Sequence, residues 1–267
     1  MALNIVVCVK NTPASTTLAV DPSTGKAKTD GVPFALNPFD EYAVEEAVRL
    51  KERFPGAKTT ALALGPEAAE GAVREAIARG VDAGAVAVLP GFEGSPYAAA
   101  IGLSRAILKL HAESPVHLAL FGKSTNDVAS GLVGALVAAR LDWPAVISVK
   151  KIDALDEKEA TVRRMMEDGV DLVKTPIPAV IGTVKEINEP RLPSLKGKMA
   201  AKKAALRILK EADLGLQAAD AEAAVKAVSL TKLSPLPPRP AGVRVDGASA
   251  QDKAKKLVEL LAERRII

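Results

Sequence analysis

Aromatic side chains are scarce: one Trp, two Tyr and five Phe make up 3% of the 267 residues. That excludes the row of stacking rings with which single-stranded nucleic acids are bound. Cysteine is all but missing. The single one, Cys8, sits inside an apolar run, so a disulfide framework is excluded and its thiol reads as core packing. A cytoplasmic (bacterial-type) or equivalent reducing compartment is favoured. Of two histidines, His111 falls at a helix end and His117 on a buried strand, neither with an acidic or cysteine neighbour at ligand spacing. Both read as structural, and no metal site is expected. No apolar run approaches the roughly 20 residues of a membrane span, and no basic stretch precedes a signal-like segment, so neither membrane insertion nor export is expected. The net charge of +4 is small for the length. Only two basic patches stand out, near Lys196 to Lys203 and at the C-terminus.

Catalytic motifs are missing too. There is no nucleophile elbow, no Walker lysine motif and no complete dinucleotide glycine spacing. Glu67, Glu70 and Glu75 read as a solvated helix face, while Glu167, Asp168 and Asp171 belong to a turn. With no general acid and base pair, autonomous catalysis is not expected.

What is present is hydrophobic patterning, 48% of the residues, organised around Pro115 to Pro144. Val116 to Phe121 form an apolar run short enough for a buried strand, Gly122 breaks it, and a helix is expected to open at Asn126 and end near Arg140. In a parallel sheet that junction lies at the carboxyl end of a strand, where unpaired helix-start N–H groups and the helix dipole favour an anion. Lys123 adds a positive charge and Ser124 and Thr125 add hydroxyls. Gly131 and Gly134 permit close helix approach.

The rest of the chain repeats the unit. Leu3 to Val9 read as a central parallel strand, followed by a small hairpin about the turn at Asp21 to Gly25. A helix follows, with Asn37 as N-cap, Pro38 at its first position and Asp40 and Glu41 in its first turn. Its apolar stripe holds Ala43, Val44, Ala47, Val48 and Leu50. Strands at Thr59 to Leu64, Ala85 to Leu89 and Ala145 to Val149 alternate with helices at Glu67 to Arg79 and Ser95 to His111. Beyond Lys150 the segments Ala160 to Met166 and Val170 to Lys174 predict an antiparallel hairpin, and Pro178 to Val184 a further apolar strand. A proline-restricted loop at Asn188 leads into a short basic helix. After Gln217 come two alanine-rich turns, an extended proline-rich linker at Ser234 to Gly242 and a last amphipathic helix at Ala250 to Arg264. The fold class is α/β: an open, mostly parallel twisted sheet with helices on both faces, an antiparallel hairpin at one edge and an extended C-terminal arm ending in a helix. Residues 1–210 are expected to form the nucleotide-binding domain, which takes in the loop and helix at 188–203, and residues 211–267 the arm.

Four segments carry a family resemblance: NPFDEYAVEEAVRLKE at Asn37 to Glu52; GK at Gly122 and Lys123 with LDWP at Leu141 to Pro144; NEPRLPSLKGKMAAKK at Asn188 to Lys203; and AGVRV at Ala241 to Val245. Together they resemble the β subunit of electron transfer flavoprotein over nearly the whole length. The resemblance implies a heterodimer in which an α subunit holds most of the FAD and receives the arm, while the β subunit buries an AMP without catalytic use. It implies electron flow from acyl-CoA and related flavin dehydrogenases to a membrane quinone oxidoreductase, as in fatty acid oxidation. By position, Cys8, Asn37 and Leu64 would line the adenosine pocket, with Lys123 and the backbone of Gly131, Leu132 and Val133 by the phosphate. Phe39 would reach toward the FAD. The stretch 188–203 would be the partner-recognition loop, in which Leu195, with Arg191 and Pro193 beside it, would anchor the dehydrogenase. The chain departs from the family where many relatives carry an aspartate run and then Asn-Gln-Thr: here stand Asn126, Asp127, Val128 and Ala129, then Gly131, Leu132 and Val133. Ser15 stands where some relatives place a tyrosine. Two alternatives are an electron-bifurcating subunit with a second FAD and NADH oxidation, and a free-standing nucleotide-binding regulator.

Overall fold

The computed structural model describes residues 3–267, apart from 16, 22, 229, 230, 232, 235, 236 and 240. In chain order the elements are β1 (Asn4–Val9), β2 (Asn11–Pro13), β3 (Phe34–Leu36), α1 (Pro38–Arg53), β4 (Lys58–Gly65), α2 (Glu70–Ala78), β5 (Ala83–Val88), α3 (Pro96–Glu113) and β6 (Leu118–Gly122). There follow α4 (Val133–Leu141), β7 (Ala145–Leu155), β8 (Glu159–Met165), β9 (Val170–Pro176), β10 (Ala179–Thr183), α5 (Leu195–Lys203), β11 (Arg207–Leu209), α6 (Ala218–Lys226) and α7 (Ala250–Glu263).

One nine-stranded sheet carries the fold, in the order β11-β5-β4-β1-β6-β10-β7-β8-β9. Every neighbouring pair from β11 to β7 is parallel, and β8 and β9 add antiparallel pairs at one edge. β1 is buried on both sides because successive strand residues point to opposite faces. Ile5, Val7 and Val9 enter a core with α1 and α2, while Val6 and Cys8 enter a second core with α3 and α4. The chain thus changes faces between the α2 and α3 crossovers. β4 and β6 flank β1 on opposite sides, which makes the gap at the carboxyl ends of β1 and β6 a topological switch point.

Local signals place most elements. The expected apolar stripe of α1 is buried, the Ser95 hydroxyl caps α3 by accepting from the Ala98 N–H, and a small β2/β3 hairpin lies beside the sheet. Three expectations need correction. The helix expected from Asn126 starts only at Val133. Ala129 and Gly131 take φ of 55° and 64°, a left-handed backbone that no helix continues through. The strand expected to end at Val149 runs on to Leu155, and its outer half pairs with β8, turning the hairpin into a three-stranded antiparallel edge. Glu75 is not on a solvated face. It is half-buried, one oxygen accepting from the Leu36 N–H at 3.2 Å and the other pairing with Arg79 at 2.9 Å.

Asp171 lies within β9 and pairs with Arg164 at 2.6 Å. Leu214 and Ala224 are buried in the α3/α4 core, whereas α7 buries no residue. The proline-rich linker expected at Ser234 to Gly242 falls partly outside the described residues.

Candidate functional site

At the switch point lies a cleft, its mouth open to solvent. The carboxyl end of β1 supplies Cys8, Val9 and Lys10, and the end of β6 supplies Phe121 and Gly122; α3 contributes Pro96, Ala99 and Leu103. The opposite wall is the loop from Lys123 to Leu132 and the start of α4. No side chain caps α4, so the N–H groups of its first turn, where Val133 and Gly134 line the cleft, have neither an intrahelical partner nor a capping side chain.

Asn37, just ahead of α1, and Asp40, in its first turn, hold the cleft in shape. Asn37 precedes the helix as expected, yet its side chain makes no cap bond. Its Nδ2 donates to the Ser124 carbonyl at 2.8 Å and its Oδ1 accepts from the Asn126 N–H at 3.2 Å. Asp40 is buried and accepts from the Lys10 N–H at 2.8 Å. Burial pushes its carboxyl up to about 7, against the lowering effect of donors from Lys10, Asn37 and Gly122. Gly122 is required by this contact. A Cβ there would stand 2.5 Å from Asp40 Oδ1 and 2.6 Å from the Phe39 main chain.

The charges at the cleft are arranged by pairing. Lys10 Nζ donates to Asp127 at 2.7 Å and to the Glu93 carbonyl at 3.3 Å. Burial alone would raise Asp127, but the hydrogen bonds from Lys10, Thr125 and the Val128 N–H together with the Lys10 charge outweigh it and hold the carboxyl below its ordinary value. Lys123, exposed on the loop, makes no ion pair among the described residues. It is the free cation of the site. Burial, reinforced by the Asp40 charge, pushes the Cys8 thiol well up, so it is a packed neutral group and not a nucleophile.

The structure brings Cys8, Leu64, Lys123, Gly131 and Val133 together in the cleft. Asn37 stands behind it, and Leu132 is exposed and does not line it. Phe39 lines a neighbouring groove with Ser148, Met165 and Met166, and Lys123 borders both cavities. Sequence reasoning missed Asp40 and Glu93. Asp40 was legible only as a first-turn acid, and Glu93 sits in a short 3₁₀ turn before α3 whose Pro-Gly signal marks a loop but not its destination.

Remote from the cleft, Leu195 is 76% exposed and forms the first residue of α5. Pro193 is half-buried, and the Arg191 guanidinium turns inward onto Glu45 and Glu52. Both histidines serve the backbone: His111 Nδ1 accepts from the Val116 N–H and His117 Nδ1 from the Asn4 N–H, each at 3.1 Å. Among the described residues no His, Cys, Asp or Glu cluster is fit to hold a metal ion, and no helix is long and apolar enough to cross a membrane.

Comparison with known proteins agrees with this architecture. Residues 24–214 match the model of the electron transfer flavoprotein domain. The chain is 34% identical to electron transfer flavoprotein subunit beta of Bacillus subtilis over 267 residues, covering 99% of this chain and 100% of that protein. It is 31% identical to the human subunit beta over 97% of this chain and 98% of that one. It is also 31% identical to the caffeyl-CoA reductase-Etf complex subunit CarD of Acetobacterium woodii, over 99% and 100%. The match to the family model over residues 24–214 and the 31–34% identity to these relatives along nearly the whole chain make this protein a β-type subunit of the electron transfer flavoprotein family.

Proposed function

We propose that the cleft holds AMP as a structural ligand and that the chain works as the small subunit of a heterodimeric electron carrier. The observation that carries this reading is the convergence, at one switch point, of the uncapped start of α4, the unpaired Lys123 and an apolar wall of Cys8, Leu64, Ala99 and Leu103. Helix-start N–H groups and a lysine suit a phosphate, and the apolar wall suits a purine. Main-chain donors suffice at Gly131 to Val133, where the side chains carry no polar group.

In this reading an α subunit holds the FAD, which supplies the redox chemistry when bound. Phe39 borders it from the β side, and the arm, anchored by Leu214 and Ala224 in this chain's own core, packs on that subunit through its exposed end, α7. Leu195 docks acyl-CoA and related flavin dehydrogenases, and electrons leave toward a membrane quinone oxidoreductase. A second reading is favoured by one feature: Lys123 borders both the cleft and the groove beside Phe39, so a dinucleotide could run from one to the other. That would be a second FAD in a bifurcating subunit that oxidises NADH, and the similarity to CarD keeps it in view. The test is to purify the chain with its α partner, denature the complex and quantify the nucleotides released. One FAD and one AMP per heterodimer supports the carrier; two FAD without AMP replaces it with the second reading.

A further inference from the structure

Residues 188–203 leave the sheet after β10 and cross the outer sides of α1 and α2, where three sets of contacts hold them. On α1, the Glu45 side chain is only 4% exposed. It accepts from Arg191 Nε at 2.8 Å, from Nη2 at 3.0 Å and from the Arg191 main-chain N–H at 3.1 Å. The same guanidinium donates to Glu52 at 2.6 and 3.0 Å. Asn188 Nδ2 donates to the Tyr42 carbonyl and to Glu46, both at 3.0 Å. At the end of α2, the buried Arg79 that follows the helix donates to the Arg191 carbonyl at 2.8 Å, and Gly197 lies so near the Ala78 carbonyl that a Cβ would stand 2.2 Å from it. At the far end, Arg74 Nη1 donates to the Ala201 carbonyl at 2.7 Å.

The side chains facing outward are of a different kind. Leu192 is 86% exposed, Leu195 76% and Met199 58%, with Lys196, Lys198, Lys202 and Lys203 exposed around them. A segment whose polar anchors grip its own helices, the Arg191–Glu52 end part-exposed, and whose apolar side chains face solvent is ordered before any partner arrives. We infer that Arg191 is a positioning residue: its fork onto Glu45 and Glu52 holds Leu192, Leu195 and Met199 as one fixed apolar ridge for a partner pocket with an acidic rim.

This rests on the docking role proposed for Leu195 and adds the device that makes it effective. An apolar ridge on a mobile loop must be ordered at the moment of binding, which subtracts from affinity; a pre-ordered one need not be. A guanidinium makes two parallel bonds to a carboxylate and so fixes direction as well as distance, which a lysine ammonium does not. Removing the fork therefore loosens the ridge without touching the cleft.

The test uses the heterodimer carrying Arg191→Ala, Arg191→Lys, Glu45→Gln or Leu195→Ala. It reads amide hydrogen exchange together with dehydrogenase-driven flavin reduction. In Arg191→Ala, exchange over residues 192–199 should quicken about tenfold or more while amides of β1 and β4 keep their protection. KM for the carrier should rise about tenfold with kcat held. Arg191→Lys should fall between wild type and alanine, and Glu45→Gln should not add to Arg191→Ala, since both break one contact. Unchanged exchange at 192–199 in Arg191→Ala overturns the inference, even if Leu195→Ala raises KM. An unchanged KM in Leu195→Ala overturns the docking role, even if Arg191→Ala quickens exchange. If Arg191→Ala also exposes β1 and β4, the lysine variant decides by the same two readouts.

Discussion

The loop at 123–132 and the segment at 188–203 both follow a parallel strand near the middle of the sheet, yet they are held in opposite ways. The first is tied mainly by neutral hydrogen bonds, from Asn37 to the Ser124 carbonyl and from Asn126 to the Pro13 carbonyl, with one ion pair from Asp127 to Lys10. It closes over a cleft walled with apolar side chains. The second is tied by charged groups, Arg191 with Glu45 and Glu52 and Arg79 with its main chain, and turns its apolar residues outward. The first, proposed to enclose a nucleotide, keeps its free donors on the inside, at Lys123 and the start of α4. The second, proposed to meet a dehydrogenase, ties its charges to its own scaffold and leaves apolar surface exposed.

The sharpest way to break this contrast is through Asp40, which supports only the first region. Its carboxyl is raised to about 7 in the folded protein by burial, well above the roughly 3.9 of an unfolded aspartate. Between those values the folded state binds the extra proton, so stability should fall as pH rises from about 4 to 7, by a few kcal/mol in all, and flatten above. Urea titrations across that range should show the slope, and Asp40→Asn should shrink it to the part that Glu41 and Glu46 supply, whose carboxyls burial also raises, while leaving exchange at 192–199 unchanged. A slope undiminished by the substitution would place the titrating group elsewhere.

Next in size is a pair of glycine substitutions. Gly122→Ala forces a Cβ against the Phe39 main chain and Asp40, and should cost about 2–3 kcal/mol of unfolding free energy, with loss of bound nucleotide. Gly197→Ala meets the Ala78 carbonyl at 2.2 Å. The atom met is main chain, so α5 must move off the end of α2, which should also cost about 2–3 kcal/mol, but with quickened exchange at 192–199 and nucleotide retained. Loss of nucleotide from both would erase the distinction between the regions.

The smallest effect should come from Asn37→Ala, which leaves the Ser124 carbonyl and the Asn126 N–H without their partner. About 1–2 kcal/mol of stability should go, and nucleotide release from the purified heterodimer should quicken several-fold in a rapid-dilution assay. Unaltered release would mean that the loop holds its shape without α1.

Much of this was legible before any coordinates. Period-2 and unbroken apolar runs mark β1, β4, β5 and β6. Asn-Pro, Ser-Pro and Pro-Gly punctuate the helix starts, and the alternation of strand and helix implies that the strand ends converge on one edge. The cleft residues Cys8, Leu64, Lys123, Gly131 and Val133 follow from that convergence together with the family resemblance. The start of α4 was misjudged because small and aliphatic residues from Val128 onward carry a helical pattern. What overrides it is non-local: Asn126 is tethered to Asn37 and Pro13, 89 and 113 residues away in the chain. Arg191 was readable as a basic residue in a docking loop, but not as one facing its own scaffold, since its partners lie in α1.

The sequence by itself determined the α/β class, the succession of elements and the family, because these depend on local periodicity, turn chemistry and short motifs. Only the tertiary structure decided that β10 slots between β6 and β7, that Asn37 clamps a loop instead of capping its helix, that Asp40 is buried beneath the cleft and that Arg191 points inward. Each of these is a contact between segments far apart in the chain, chosen by which polar groups found partners once the sheet had formed, and no local pattern encodes that choice.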